Sequence, residues 1–126
     1  MILNLTQHKA TPEQVFAGVV DLPEDQQATL HALLTFDEMP TQLMLHKTAQ
    51  EIAELAAYNV NYKDGYVVRA MIGGAPYLMP HLEATLRLWQ IQPVYAFTKR
   101  TVFESTLPDG TVSKRSFFRH EGFIRA

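Results

Sequence analysis

Apolar positions along this chain change their period several times, and each change marks an element. Ile2-Leu3-Asn4-Leu5 is a short apolar run that gives way to the polar string Thr6-Gln7-His8-Lys9, the pattern of a buried strand opening into a loop. Thr11-Pro12-Glu13-Gln14 predicts a helix start by three agreeing mechanisms. The Thr11 hydroxyl can accept an unpaired amide, Pro12 has its φ preset for the first helical position, and Gln14 can close a capping box. Gly18 stops this short helix after about Ala17. Val19 to Pro23 reads as a turn of the chain. Glu24 to Leu34 predicts a helix with Ala28, His31, Ala32 and Leu34 near one face, ending before Asp37-Glu38-Met39-Pro40. Thr41 is the next cap. Leu45, Ala49, Ile52, Ala53 and Ala56 recur at spacings of three and four and predict an amphipathic helix over 42–58.

Asn59 to Gly65 is a polar turn, and Tyr66 to Ile72 is rich in strand formers before Gly73-Gly74-Ala75-Pro76 forces a sharp change of direction. Helical spacing returns from Tyr77 to Trp89 through Leu78, Leu82, Leu86 and Trp89, with the regular helix starting around Pro80. Pro93 to Phe97 predicts a short strand. Thr101–Thr106 and Thr111–Phe118 flank Leu107-Pro108-Asp109-Gly110 and predict a β-hairpin. Trp89, Phe97 and Phe103 are assigned to packing. Strands separated by helices favour a parallel sheet with right-handed crossovers, covered on both faces. The expected architecture is one α/β domain over residues 1–126: a small three-layer Rossmann-like domain with a short parallel sheet and a C-terminal β-hairpin at about 100–120 as an edge extension.

With 126 residues and 47% of them apolar, the chain suffices for one core and is too short for two full domains. The absence of cysteine excludes a disulfide scaffold, a thiolate metal site and a cysteine nucleophile. No run of about 18 apolar residues and no basic N-terminal leader pattern is present, so the expectation is a soluble cytoplasmic protein without a membrane partner. A net charge of -2 argues against a uniformly basic binder of duplex nucleic acid. The charge is uneven, however. Residues 1–98 carry five Lys/Arg against ten Asp/Glu, whereas residues 99–126 carry six against three. Such a basic block suits an anionic ligand or the acidic surface of a second chain, and equally a solvated hairpin of alternating charges.

In an open parallel sheet, ligands bind beyond the carboxyl ends of the strands, where loops and free amides gather. That rule selects Asn4 to Lys9, Gly73 to Tyr77 and Thr98 to Arg100, which are expected to face one crevice. Gly73 and Gly74 let the backbone approach a ligand closely, and the amides through Ala75 can donate to a phosphate or carboxylate. The string is neither G-x-G-x-x-G nor a Walker loop, and a plain strand-to-helix turn remains open as a reading. Thr6 and Gln7 offer a hydroxyl and an amide. His8 is the candidate general acid or base, or an ordinary hydrogen-bonding loop residue. Lys99 and Arg100 are expected to form a basic rim. Tyr66, Tyr77 and Tyr95 can stack on bases or fill the core. The five histidines lack metal-ligand spacing, so neither a metal nor a cofactor is expected.

Asn4-Leu5-Thr6-Gln7-His8 followed by Thr11-Pro12-Glu13-Gln14 resembles the strand–loop–helix opening of small CRISPR-associated accessory proteins with a Rossmann-like fold. In those proteins an Asn-x-Ser/Thr loop with a nearby His precedes a Thr-x-Glu-Gln helix start, and the architecture is related to domains that sense cyclic oligoadenylates. Gly73 to Met79 and Pro93 to Phe97 are similar to strings in phage and prophage proteins. The first resemblance spans about ten residues, with Gln7 as an insertion, and the second nearly the whole chain. The resemblance implies a homodimer that binds a cyclic or linear oligonucleotide over the strand ends, sequestering it or slowly cleaving it. Thr6 and His8 carry over to the family's loop, and Gly73 and Gly74 to its second strand-end loop. The hairpin has no counterpart there.

Three functions follow. The first is a binding module for a nucleotide-like anion, such as a cyclic oligonucleotide defence signal, held by Asn4, Thr6, Gln7, Gly73, Gly74, Ala75, Lys99 and Arg100. The second is an enzyme on the same crevice, either a metal-independent ring nuclease that positions a ribose 2′-hydroxyl for in-line attack or a nucleoside-processing enzyme, with His8 catalytic. The third is a protein–protein interaction factor using the hairpin edge.

Overall fold

The computed structural model describes residues 1–62 and 66–126. The last part of the polar turn expected at Asn59 to Gly65 therefore lies outside the described residues. The chain runs β1 (Ile2–Asn4), α1 (Pro12–Phe16), β2 (Val19–Val20), α2 (Glu24–Leu34), α3 (Gln42–Tyr58), β3 (Val68–Met71), α4 (Met79–Leu88), β4 (Ile91–Thr106) and β5 (Val112–Arg125). It is a mixed α/β fold on a five-stranded sheet of order β2-β1-β3-β4-β5. β1 pairs in parallel with β2 and β3, β3 pairs in parallel with β4, and β4 pairs antiparallel with β5.

Alternation along the central strands divides their side chains between two cores. Leu3, Val68, Ala70, Ile72 and Ile91 face α2, α3 and α4 and join the main core with Leu30, Ile52 and Leu82. On the other face Ile2, Val19, Met71 and Val94 form a small cluster, supported by Ala10, Ala96 and Phe123. That second face is thinly covered, since α1 contributes no buried residue.

The helices follow from local chemistry. Thr11 caps α1 through a complete capping box with Gln14, and Pro12 sits in the first turn. α3 spans 42–58, with Thr41 as its cap and Leu45, Ala49, Ile52, Ala53 and Ala56 buried. α2 departs from its expected face. Leu30 and Leu34 are buried, while Ala28, His31 and Ala32 are exposed, because the helix is weakly amphipathic and the sheet takes its largest side chains. α4 begins at Met79 with Pro80 in its first turn, and it buries Leu82 and Leu86.

Two differences concern strands. Val19–Val20, expected as part of a turn, is the parallel edge strand β2; two residues are too few to show a period. The short strand expected at Pro93–Phe97 and the first hairpin arm are one continuous strand, β4. β3 accompanies β4 only as far as Val94. Thr106 lies about 40 Å further along the strand path at about 3.3 Å per residue. Beyond Thr98 β4 is accompanied by β5, with a register shift at Phe97/Thr98 that leaves Glu121 as the extra residue of a bulge. The two strands form a protruding ribbon, and none of residues 98–120 is buried. The packing roles expected of Trp89, Phe97 and Phe103 are accordingly overturned: these side chains are 40%, 50% and 59% exposed.

Candidate functional site

The chain visits β1, steps to β2 on one side, and then crosses to β3 on the other, so the strand order reverses between β1 and β3. At such a reversal the loops leaving adjacent strands diverge to opposite faces and open a crevice at the carboxyl ends. Here Leu5 N–H donates to Met71 O at 2.9 Å, so the first loop departs beside the end of β3. An ideal Cβ on Gly73 would stand 3.6 Å from Thr6 Cγ2, which brings the two glycine-end and threonine-end loops into contact distance.

A cleft of about 470 Å³ lies there. Thr6, Gln7, His8 and Lys9 line it from the first loop, Thr11 and Gln14 from the start of α1, and Met71, Gly73 and Gly74 from the end of β3. The volume falls within the range of small-ligand sites. Every polar side chain of that lining is neutral or basic, and none is a carboxylate.

Asn4 organises the loop from beneath. Its Nδ2 donates to His8 O and to Asp21 Oδ1, both at 2.8 Å, while its Oδ1 accepts from Thr6 N at 2.9 Å and from Thr6 Oγ1 at 2.7 Å. An amide side chain has two donor and two acceptor positions, and all four are filled. Asn4 is 4% exposed and positions the loop; it lines, with Asp21, a second cavity of about 240 Å³ that shares Thr6 to Lys9 with the cleft. Asp21 completes the brace by accepting Ala10 N–H on the same Oδ1 at 3.0 Å. This network engages Oδ1 of Asp21, the carboxylate that braces the loop. It also engages the Thr6 hydroxyl proton, which leaves Thr6 Oγ1 with lone pairs for a ligand rather than a proton.

Gln7 Nε2 donates to Leu34 O at 3.4 Å and ties the loop to the end of α2. Thr11 and Gln14 bond to each other in the capping box. On the opposite wall Gly74 has φ +144, a conformation that L side chains rarely adopt, whereas Gly73 carries no such strain.

Of the residues expected at the crevice, the structure brings Thr6, Gln7, His8, Gly73 and Gly74 together. Ala75 packs against the main core instead. Lys99 and Arg100 stand in the ribbon outside the lining, where Arg100 Nη2 donates to Ser116 Oγ at 2.9 Å. They miss the cleft because β4 does not end beside β3: the expected strand-end loop is continuing strand. Tyr66 and Tyr77 are exposed, and Tyr95 packs partly against the main core. Burial raises the Tyr95 phenol above its usual range, with Glu83 adding to the shift and Arg87 opposing it. Lys9, part of the segment expected at the crevice but given no ligand role, joins the lining, as do Thr11 and Gln14, expected only as helix-start residues. The signal for Lys9 is its place in the polar string after β1, which puts a cation beside His8.

Among the described residues no group of three His, Asp or Glu side chains gathers as a metal site requires, and no helix is long and apolar enough to cross a membrane. No curated protein and no solved structure matches the chain. A family model does, over residues 1–124, and the chain belongs to the family described as uncharacterized protein MJ1673.

Proposed function

We propose that this protein binds a nucleotide-sized anion in the cleft between the loops that leave β1 and β3. One observation carries the reading: the cleft sits at the reversal of strand order and is lined by amide, hydroxyl, imidazole and ammonium groups with no carboxylate. Lys9 and His8 supply positive or hydrogen-bonding character, and the backbone at Gly73 allows close approach. In this reading the domain is a reduced Rossmann-like one with a three-layer plan, working in the cytoplasm. The resemblance of Asn4 to His8 to CRISPR-associated proteins supports a cyclic oligonucleotide as the anion.

Isothermal titration with cyclic oligonucleotides, linear dinucleotides and inorganic phosphate tests this. Gly73→Val places a branched side chain toward Thr6 without demanding an unusual φ, and it is expected to weaken binding at least tenfold while the circular dichroism spectrum stays unchanged. Lys9→Ala should weaken it by a similar factor and flatten its salt dependence. Absence of binding by all three ligand types, or binding indifferent to both variants, sinks the reading. His8 in the lining favours one second reading, transesterification by a bound ring's own 2′-hydroxyl. Under that reading product analysis shows conversion rather than retention, and His8→Ala lowers turnover more than affinity.

A further inference from the structure

Apart from its base, where His120 N donates to Glu13 Oε2 of α1 at 3.1 Å, the ribbon formed by β4 and β5 beyond Thr98 lacks what makes a two-stranded structure persist in water, namely a third strand or a covering layer. One of its faces is defined by the pairing. Lys99 opposes Arg119, Thr101 opposes Phe117, and Phe103 opposes Arg115, and directly opposed residues share a face. Phe103 and Phe117 meet edge to face at 5.5 Å, yet they remain 59% and 49% exposed. The face thus carries an aromatic pair among three cations. The ion pair of Lys114 with Glu104 uses residues of the opposite face.

The body of the same chain holds a complementary surface. A groove of about 460 Å³ opens at the corner between α2 and α3, walled by Phe36, Met39, Pro40 and Tyr77 and rimmed by Asp37 and Glu38. Phe36 and Tyr77 form its aromatic floor, with ring centroids 5.6 Å apart, and Met39 is 93% exposed. Among the described residues neither Asp37 nor Glu38 is in an ion pair. Charge follows the same division. Residues 98–120 hold five Lys/Arg against two Asp/Glu, a balance of +3, and the rest of the chain holds six against eleven, a balance of -5, which together make the net -2.

We infer that the ribbon docks on a second copy of this chain, setting Phe103 and Phe117 into the partner's groove, with Arg115 and Arg119 against Asp37 and Glu38. Two copies exchange ribbons about a two-fold axis, so each groove and each ribbon is filled once. Stacking ribbon on ribbon would instead oppose +3 to +3, which the charge distribution disfavours. The cleft at Thr6 and Gly73 plays no part in this contact, so dimerisation and anion binding stand or fall separately.

Sedimentation equilibrium of the full chain tests the exchange. The wild type is expected to be a dimer whose dissociation constant rises at least tenfold between 0.1 M and 1 M salt. Asp37→Arg with Glu38→Arg, and separately Arg115→Glu with Arg119→Glu, should each yield monomer with unchanged circular dichroism. Mixing the two variants restores oppositely charged partners at both contacts and should restore the dimer, as should all four changes in one chain. A monomeric wild type overturns the inference. So does a dimer that survives either reversal, or a monomer that captures single-stranded oligonucleotide through Phe103 and Phe117.

Discussion

Ile91 to Val94 and Thr98 to Thr106 belong to the same strand, but they obey different constraints. The first segment runs beside β3, with β5 joining it at Val94, and its Ile91 and Val94 are 1% exposed. The second has β5 alone for company, and its Val102 and Phe103 are about half exposed. Both segments mix apolar with polar residues at strand spacing. In each segment the apolar residues point to both faces, Ile91 and Val94 into the two cores and Val102 and Phe103 out of the two sides of the ribbon. The pattern therefore does not report whether anything covers those faces.

The largest test of that contrast compares truncations in the two regions. Leu82 is fully buried under the sheet, and Leu82→Ala is expected to cost about 2–5 kcal/mol in urea unfolding. Phe103→Ala, measured at protein concentrations low enough to keep the chain monomeric, should cost less than about 1 kcal/mol because half of that ring already faces water. Equal losses at the two positions would mean that the ribbon belongs to the cooperative core, and the contrast would collapse.

A second test asks whether the loop after β1 behaves as body or as appendage. Asn4→Ala strips partners from Asp21, from His8 O and from both polar groups of Thr6. Thr6 N–H loses its acceptor, while Asp21 Oδ1 keeps Ala10 N–H and Thr6 Oγ1 keeps His8 O. The loss is expected to cost about 1–3 kcal/mol, and amide exchange of residues 6–10 should accelerate beyond the global change. Unchanged protection there would show that the loop holds its shape without the Asn4 brace, and the ordering of the cleft would need another cause.

Against these expectations it becomes clear where sequence reading succeeds and where it runs out. The residues of α3 announce their buried face because five apolar side chains repeat at three and four, so only one orientation buries them all. The cap of α1 is similarly plain, since Thr11, Pro12 and Gln14 act within four residues. Local chemistry suffices in both cases. α2 and β2 are different: a weakly amphipathic helix and a two-residue strand take their orientation from the sheet, a long-range partner that no local pattern contains. At the cleft, Thr6, Gln7, His8, Gly73 and Gly74 could be brought together by a rule about strand ends, which needs only the positions of strands. The saturation of Asn4 required its partners 17 residues away at Asp21, and the displacement of Lys99 and Arg100 required knowing that β4 does not stop.

The smallest expected effect is at the ribbon's tip, where stability is local. Gly110, at φ +88, donates to Leu107 O at 2.9 Å, and Asp109 Oδ1 accepts from Thr111 N at 3.0 Å and from Thr111 Oγ1 at 2.6 Å. Those two bonds hold the Asp109 carboxyl below its ordinary value of 3.8. Because the folded group is the stronger acid, its contribution is present above pH 3.8 and is lost as pH falls through the lower folded value. The carboxyl is fully solvated, so the loss should fray the turn and leave the body's unfolding midpoint unmoved. The Thr111 amide proton shift, followed from pH 6 down to about pH 2, should titrate with a midpoint below that of a free aspartate. Thr111→Val removes the hydroxyl donor and should move the midpoint upward toward 3.8. A midpoint that ignores this substitution would place the cause outside the turn. A body that unfolds along with the tip would show that the ribbon and the sheet are one cooperative unit after all.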